Sequence, residues 1–432
     1  MRVPTAFLPA FLPVFLPVFL SALLTTSVLT VTSTAAEAAA KPPPKSAVDV
    51  VYQRAQFGPG LREGVKAGNT LSFAAPVGTI SYTDALGTKT WEYARWNGPE
   101  RPVGFAATEL VASWNADVPA GSWLQVEMRG RHPAGQTKWY VLGRWAYGDE
   151  DIRRTSLSGQ RDADGTVSVD TFVAAAGKAI TSYQLRVTLY RAPGSAVKPV
   201  VRTLGAMASA VPDRATVPVS PGGTAWGVEL PVPRRSQNVH EGHYPEWDGG
   251  GEAWCSPTST TMVLGYWGKW PSKQDTSWVD PADPDPEVDY AARYTYDYAY
   301  EGAGNWPFNA AYAGRYGLEG FVTRLRSLTE MERLIRAGIP VVTSQSFKAE
   351  ELPGAGYSTN GHLMVIVGFT AEGDVIANDP ASPDNDAVRH VYPRANFENV
   401  WLRSSGSGGI VYVIHPKNRP LPPTTPGLPA NW

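Results

Sequence analysis

Between Val48 and about Ser209, apolar and polar residues alternate with a period of two. That period fits strands with one dry and one wet face, and no long helical pattern interrupts it. Leu124, Val126 and Met128 alternate with Gln125, Glu127 and Arg129; Tyr183, Leu185, Val187 and Leu189 alternate with Gln184, Arg186 and Thr188. A turn at Asp162 to Gly165 followed by a strand from Val167 to Thr171 fits the same scheme. The expectation for residues 48–210 is an antiparallel β-sandwich of jelly-roll type.

The stretch Val211 to Thr224 is rich in Pro and Gly and marks a linker, taken as 211–227. Beyond it the periodicity changes. Helices are expected from Pro257 to about Trp267, near Trp306 to Tyr316, and from Leu328 to Ala337. For the last, Ser327 and Glu330 form a capping box and Gly338 is the stop. Short apolar runs at Val341 to Phe347, Leu363 to Phe369, Val375 to Asn378 and Ile410 to His415 read as strands. Helix first and sheet afterwards is an α+β arrangement for residues 228–416, followed by a Pro-rich tail at 417–432.

The N-terminal forty residues obey other rules. Arg2 precedes an uncharged apolar run from Ala6 to Val31, and small residues end in Ala38, Ala39 and Ala40. This is a signal-peptide pattern with cleavage expected near Lys41, or after Thr34 to Ala36. Pro9, Pro13 and Pro17 argue against an uncleaved membrane helix. Residues 41–47 then form a Pro-rich spacer, and the mature chain is expected to be secreted, with no membrane partner once the signal is cleaved.

A chain of 432 residues with 43% hydrophobic and 18% charged residues can bury more than one core. Its formal net charge of -2, without a basic cluster interleaved with aromatics, argues against a nucleic-acid partner. Exported proteins use cysteines in pairs, yet Cys255 stands alone, so it is either a buried small hydrophobe or a reactive thiol. Its position favours reactivity. Ser256 and Pro257 read as an N-cap and first helical position, and a helix N-terminus stabilises thiolate over thiol.

A thiolate nucleophile needs a base and a group that orients the base. His362 follows Asn360 and Gly361 at the start of an apolar strand, where its ring can project into a cleft. Asp379 ends the next strand, and a tight hairpin brings the two strand ends together. Asn378 falls on the opposite face, which leaves Asp379 as the orienting group.

With these residues in place, the chain resembles the peptidase C39-like group, relatives of the bacteriocin-leader-processing cysteine peptidases, within the papain-like fold. The matching segments are Val232 to Gln237, Trp254 to Gly268, Gly361 to Gly368 and Asn378 to Pro380. The resemblance implies a papain-like α+β cysteine peptidase domain in which Cys255 attacks, His362 and Asp379 complete a triad, and Gln237 helps form the oxyanion hole. It does not carry over the double-glycine leader specificity of the transporter-linked members.

Other clusters carry less. His240 and His243, with Glu241, Glu246 and Asp248, read as a polar loop over the cleft, because no HExxH or thiolate cage accompanies them. The acidic stretch Asp280, Asp283, Asp285, Glu287 and Asp289 lacks EF-hand spacing and reads as a solvated loop. No metal or other cofactor is therefore expected. Trp91, Trp96, Trp114, Trp123, Trp139 and Trp145 read as sandwich core, with a sugar-stacking surface as the alternative. The function expected is a secreted cysteine peptidase acting on a peptide or protein substrate. A cell-wall peptidoglycan amidase or endopeptidase, or a non-catalytic extracellular binding protein on the same frame, are the alternatives.

Overall fold

Two antiparallel sheets, of seven and eight strands, are built from the alternating segment that ends at Ala210. The computed structural model of the protein describes residues 48–432, so the expected signal segment and spacer lie outside the described residues. The two alternating runs singled out in the sequence pair with each other. Strand Ser122–His132 lies against Ile180–Arg191 with Leu124 opposite Leu189, Val126 opposite Val187 and Met128 opposite Leu185. Their polar face is less wet than the alternation suggested: Glu127 is buried, and its carboxylate accepts Arg186 Nε at 2.7 Å. The expected strand Val167 to Thr171 is instead a hairpin, Gly165–Ser168 and Thr171–Ala174, turning at Val169.

The six tryptophans of this half do not form a stacking platform. Trp91, Trp96, Trp114, Trp123 and Trp145 are buried, and Trp139 is covered by the guanidinium groups of Arg129 and Arg186. Burying these rings supplies much of the apolar area that holds the sheets together.

The second half is a single six-stranded antiparallel sheet with five helices among the described residues. The helices are α1 (Cys255–Tyr266), α2 (Pro286–Thr295), α3 (Trp306–Gly314), α4 (Leu328–Arg336) and α5 (Arg394–Leu402). The strands run in the order Leu318–Arg324, Ile410–Pro416, Val341–Phe347, Thr359–Phe369, Val375–Asn378 and Arg389–Tyr392. None of the helices described is long and apolar enough to cross a membrane.

Helix α4 starts as the sequence proposed, with the Ser327 hydroxyl accepting the Glu330 N–H at 3.2 Å. The reciprocal half of the capping box is displaced by one residue, since the Glu330 carboxylate accepts from the N–H of Arg326. Helix α2 occupies part of the acidic stretch read as a solvated loop. Pro286 stands at its first turn and Asp289 is fully buried, so that reading is corrected there.

The two halves share a core. Phe308 of α3 packs edge-on against Trp114, and the Asn115 amide donates to the carbonyls of Ala310 and Gly320. Fully buried Arg154 donates to Tyr296 and Arg293 carbonyls at 3.1 and 2.7 Å, joining the first half to the end of α2. The described residues 48–432 accordingly belong to one compact unit.

Candidate active site

Helix α1 begins at Cys255 itself, so the thiol lies in the first turn. The expected Ser256 cap is not formed. Trp254 is the N-cap and makes no side-chain capping bond, while the buried Ser256 hydroxyl pairs with the Tyr412 hydroxyl at 2.9 Å. Ser259, one turn further on, donates to the Leu363 carbonyl at 3.2 Å and fixes α1 against the strand that carries His362.

The hairpin that follows brings the two remaining groups together. Val365 stands opposite Asn378 in the register of strands Thr359–Phe369 and Val375–Asn378, which leaves Asp379 just past the strand end, on the His362 side. His362 Nε2 lies 2.8 Å from Asp379 Oδ1. The imidazole also hydrogen-bonds with Cys255, and with Nε2 engaged only Nδ1 is left for the thiol. Asn378 points elsewhere, donating to the carbonyls of Val232 and Pro233, as the face argument required.

The electrostatics follow from this packing. Burial disfavours a charged imidazole, but the Asp379 carboxylate and the hydrogen bonds with Asp379 and Cys255 outweigh it, and the His362 pKa is pushed up to about 10. Burial likewise works against the Asp379 carboxylate. The His362 charge and the hydrogen bonds it accepts reverse that, holding Asp379 well below the usual carboxylate range.

Two tyrosines in this site escaped the sequence reading. The Tyr357 and Tyr392 hydroxyls donate to Asp379 Oδ2 at 2.8 and 2.6 Å, and the Ala381 N–H donates to Oδ1 at 3.0 Å. A phenol has no spacing signature relative to a carboxylate 22 or 13 residues away, so only the folded register reveals these donors. Gln237 is buried beside the segment leading to Cys255. Its N–H donates to Pro380, the residue after Asp379, and its amide nitrogen donates to the Glu252 carbonyl at 2.6 Å. One amide hydrogen remains unengaged, and the amide oxygen has no partner.

Comparison with known proteins agrees in outline. Residues 48–209 match the Peptidase C39 N-terminal domain and residues 229–408 match the Peptidase C39 like family. No curated protein matches the chain. One similar solved structure is described as "Structural basis for the promiscuous specificity of the carbohydrate-binding modules from the beta-sandwich super family". It is 11% identical, with a TM-score of 0.16, over 34% of this chain and 58% of that one. A second is a Gap123 complex, a glycosylation-associated protein from Streptococcus agalactiae, 12% identical with a TM-score of 0.20, over 42% of this chain and 52% of that one. The chain thus spans little more than half of each.

Proposed function

Because the chain belongs to the C39-like peptidase family, we propose that it is a secreted cysteine peptidase that hydrolyses peptide bonds through Cys255, His362 and Asp379. The observation that carries this reading is the contact chain from the Cys255 thiol at the α1 N-terminus, through the His362 ring, to Asp379 Oδ1 at 2.8 Å. The apolar leader and small-residue site at residues 1–40 support export.

The chemistry follows from the residue types. The Cys255 proton passes to His362, and the sulfur attacks the carbonyl carbon of the scissile peptide. The free amide hydrogen of Gln237 and the Cys255 N–H stabilise the oxyanion that forms. Collapse of the tetrahedral intermediate breaks the C–N bond, and His362 returns its proton to the departing amine. Water, deprotonated by His362, then cleaves the thioester and restores the thiol. Asp379 holds the ring and stabilises its charge throughout.

The test is alkylation of Cys255 by a thiol-directed reagent across pH, in wild type and His362→Ala, followed by a panel of unstructured proteins and peptidoglycan stem peptides. Fast labelling at pH 5 that His362→Ala slows about a hundredfold supports the reading. Labelling that rises in both proteins only near the ordinary thiol value of about 8.5 removes it.

A further inference from the structure

Two motifs that the triad leaves unused fold onto each other. The turn Asn238–His240 and the residues after it carry His240 and His243, and the first turn of α2 carries Asp289, 49 residues from His240. His240 Nδ1 lies 3.2 Å from Asp289 Oδ1, and His243 Nδ1 lies 3.5 Å from the same oxygen. The three residues offer donor atoms that all fall within 4.8 Å of one another.

The His240 contact is a hydrogen bond at the long end of the range, whereas the His243 contact is not one. Although His240 and Asp289 are both fully buried, His240 Nε2, His243 Nδ1 and Asp289 Oδ2 have no hydrogen-bond partner. Among the described residues no lysine or arginine forms an ion pair with Asp289; its two charge partners are these histidines. A buried carboxylate facing two imidazoles is neutralised either by a proton on one ring or by a cation held between them, and the orphaned polar atoms show that the cluster is not closed by hydrogen bonds alone.

We propose that His240, His243 and Asp289 bind a divalent first-row metal ion, zinc by the nature of the donors. Two imidazoles and one carboxylate are a standard zinc set, and ligand bonds of about 2.05 Å place neighbouring donors of a tetrahedral ion about 3.3 Å apart. The observed separations of 3.2 and 3.5 Å bracket that edge. The other ring nitrogen of His243 lies 3.4 Å from Asp283 Oδ1, a carboxylate placed as the outer-shell support that orients a ligating imidazole. Asp283 is itself held by the Tyr244 hydroxyl at 3.1 Å. An open cleft lined by His243, Tyr244, Trp278, Asp280 and Asp283 reaches the His243 side of the cluster and gives an ion its entry path.

The ion is structural in this reading. His240 is three residues beyond Gln237, donates its N–H to the Gln237 carbonyl, and packs its ring near Trp254, the residue before Cys255. Metal binding would pin this segment to α2 and steady the Gln237 side of the site. The inference does not depend on the peptidase reading.

The test uses the untagged Cys255→Ala protein, so that the thiol cannot ligate, dialysed against a chelator and titrated with zinc and with cobalt. One zinc per chain, a cobalt spectrum without sulfur charge-transfer bands, and an unfolding midpoint that rises with zinc are expected. His243→Ala in the same background should weaken binding at least tenfold and abolish the midpoint shift. Asp289→Asn should do the same where it folds, and His243, being partly exposed, supplies the variant that keeps the fold. Failure of the folded Cys255→Ala protein to take up stoichiometric zinc, or uptake that His243→Ala leaves unchanged, overturns the proposal.

Discussion

Asp379 is fully buried and its four acceptor positions are filled: two by the His362 ring and the Ala381 N–H, two by the phenols of Tyr357 and Tyr392. Burial and the Asp379 charge push both phenols far above their ordinary pKa, so they stay protonated and keep donating. Tyr392→Phe removes one donor from a buried carboxylate. It should cost about 1.5–3 kcal/mol by denaturant unfolding and move the acid limb of the Cys255 alkylation profile to higher pH. A profile unchanged from wild type would show that the phenol does not tune the carboxylate. His362 carries its own pH signature. Its pKa rises from 6.5 to about 10 on folding, so its stabilising contribution is fully present below pH 6.5 and is lost as pH rises through about 10. The stability difference between wild type and His362→Ala should therefore shrink across that window in melts at successive pH values. Cys255→Ser should reduce any peptide hydrolysis at least about a thousandfold while leaving the melting temperature nearly unchanged.

The turn of the hairpin Gly165–Ser168 and Thr171–Ala174 reaches across to α3, where the buried Asp170 carboxylate accepts the Trp306 N–H at 2.8 Å and the Thr171 hydroxyl at 2.9 Å. Burial, opposed by those bonds and reinforced by the nearby Asp297 charge, pushes the Asp170 pKa up to about 7. A raised carboxyl stabilises the fold fully below pH 3.8 and loses that contribution as pH rises through about 7. Asp170→Asn cannot ionise. It should be more stable relative to wild type at pH 8 than at pH 5, by on the order of 1–3 kcal/mol, and melts at the two pH values read the difference. The hairpin also marks how far elements were legible. Helices α1, α3 and α4 announce themselves through local rules: apolar spacing, Pro in the first turn, and a Ser cap three residues before Glu330. The helix start at Cys255 and the short hairpin that brings His362 to Asp379 were legible for the same reason, each being set by a local pattern. Helix α2 was not, because its Pro and acidic residues are typical both of loops and of a helix first turn, and only burial against the rest of the molecule decides between them. The meeting of His240 with Asp289, and of two phenols with Asp379, depends on tertiary packing that no local pattern encodes.

At the scale of the whole molecule, the segments that read as a linker and a tail are tied in by hydrogen bonds. Val217 and Ser220 donate backbone N–H groups to Asn399 and Glu398 of α5, and the buried Glu332 carboxylate of α4 accepts the N–H groups of Gly223 and Thr224. At the other end, the Ala430 carbonyl accepts the Tyr52 N–H at 2.8 Å, covering an edge of strand Asp49–Arg54. Next to it Asn431 is fully buried, donating to the Arg324 carbonyl at 2.9 Å and to Glu330 at 2.8 Å, while its carbonyl accepts the Thr323 hydroxyl. Arg326 closes the junction by donating to Val50 and Pro429 carbonyls. Asn431 thus stands where strand Asp49–Arg54, α4 and the end of the chain meet. Replacing it with Ala strips a donor from two buried acceptors and should cost about 2–4 kcal/mol. Because the two halves share a core through Phe308, Trp114 and Arg154, that cost should fall on both. Hydrogen exchange on Asn431→Ala should show protection lost together in strand Asp49–Arg54, in α4 and in the central strands of both halves, with a single calorimetric transition shifted down. Loss confined to α4 and its neighbours, or two resolved transitions, would mean that the halves fold separately and that the tail only decorates one of them.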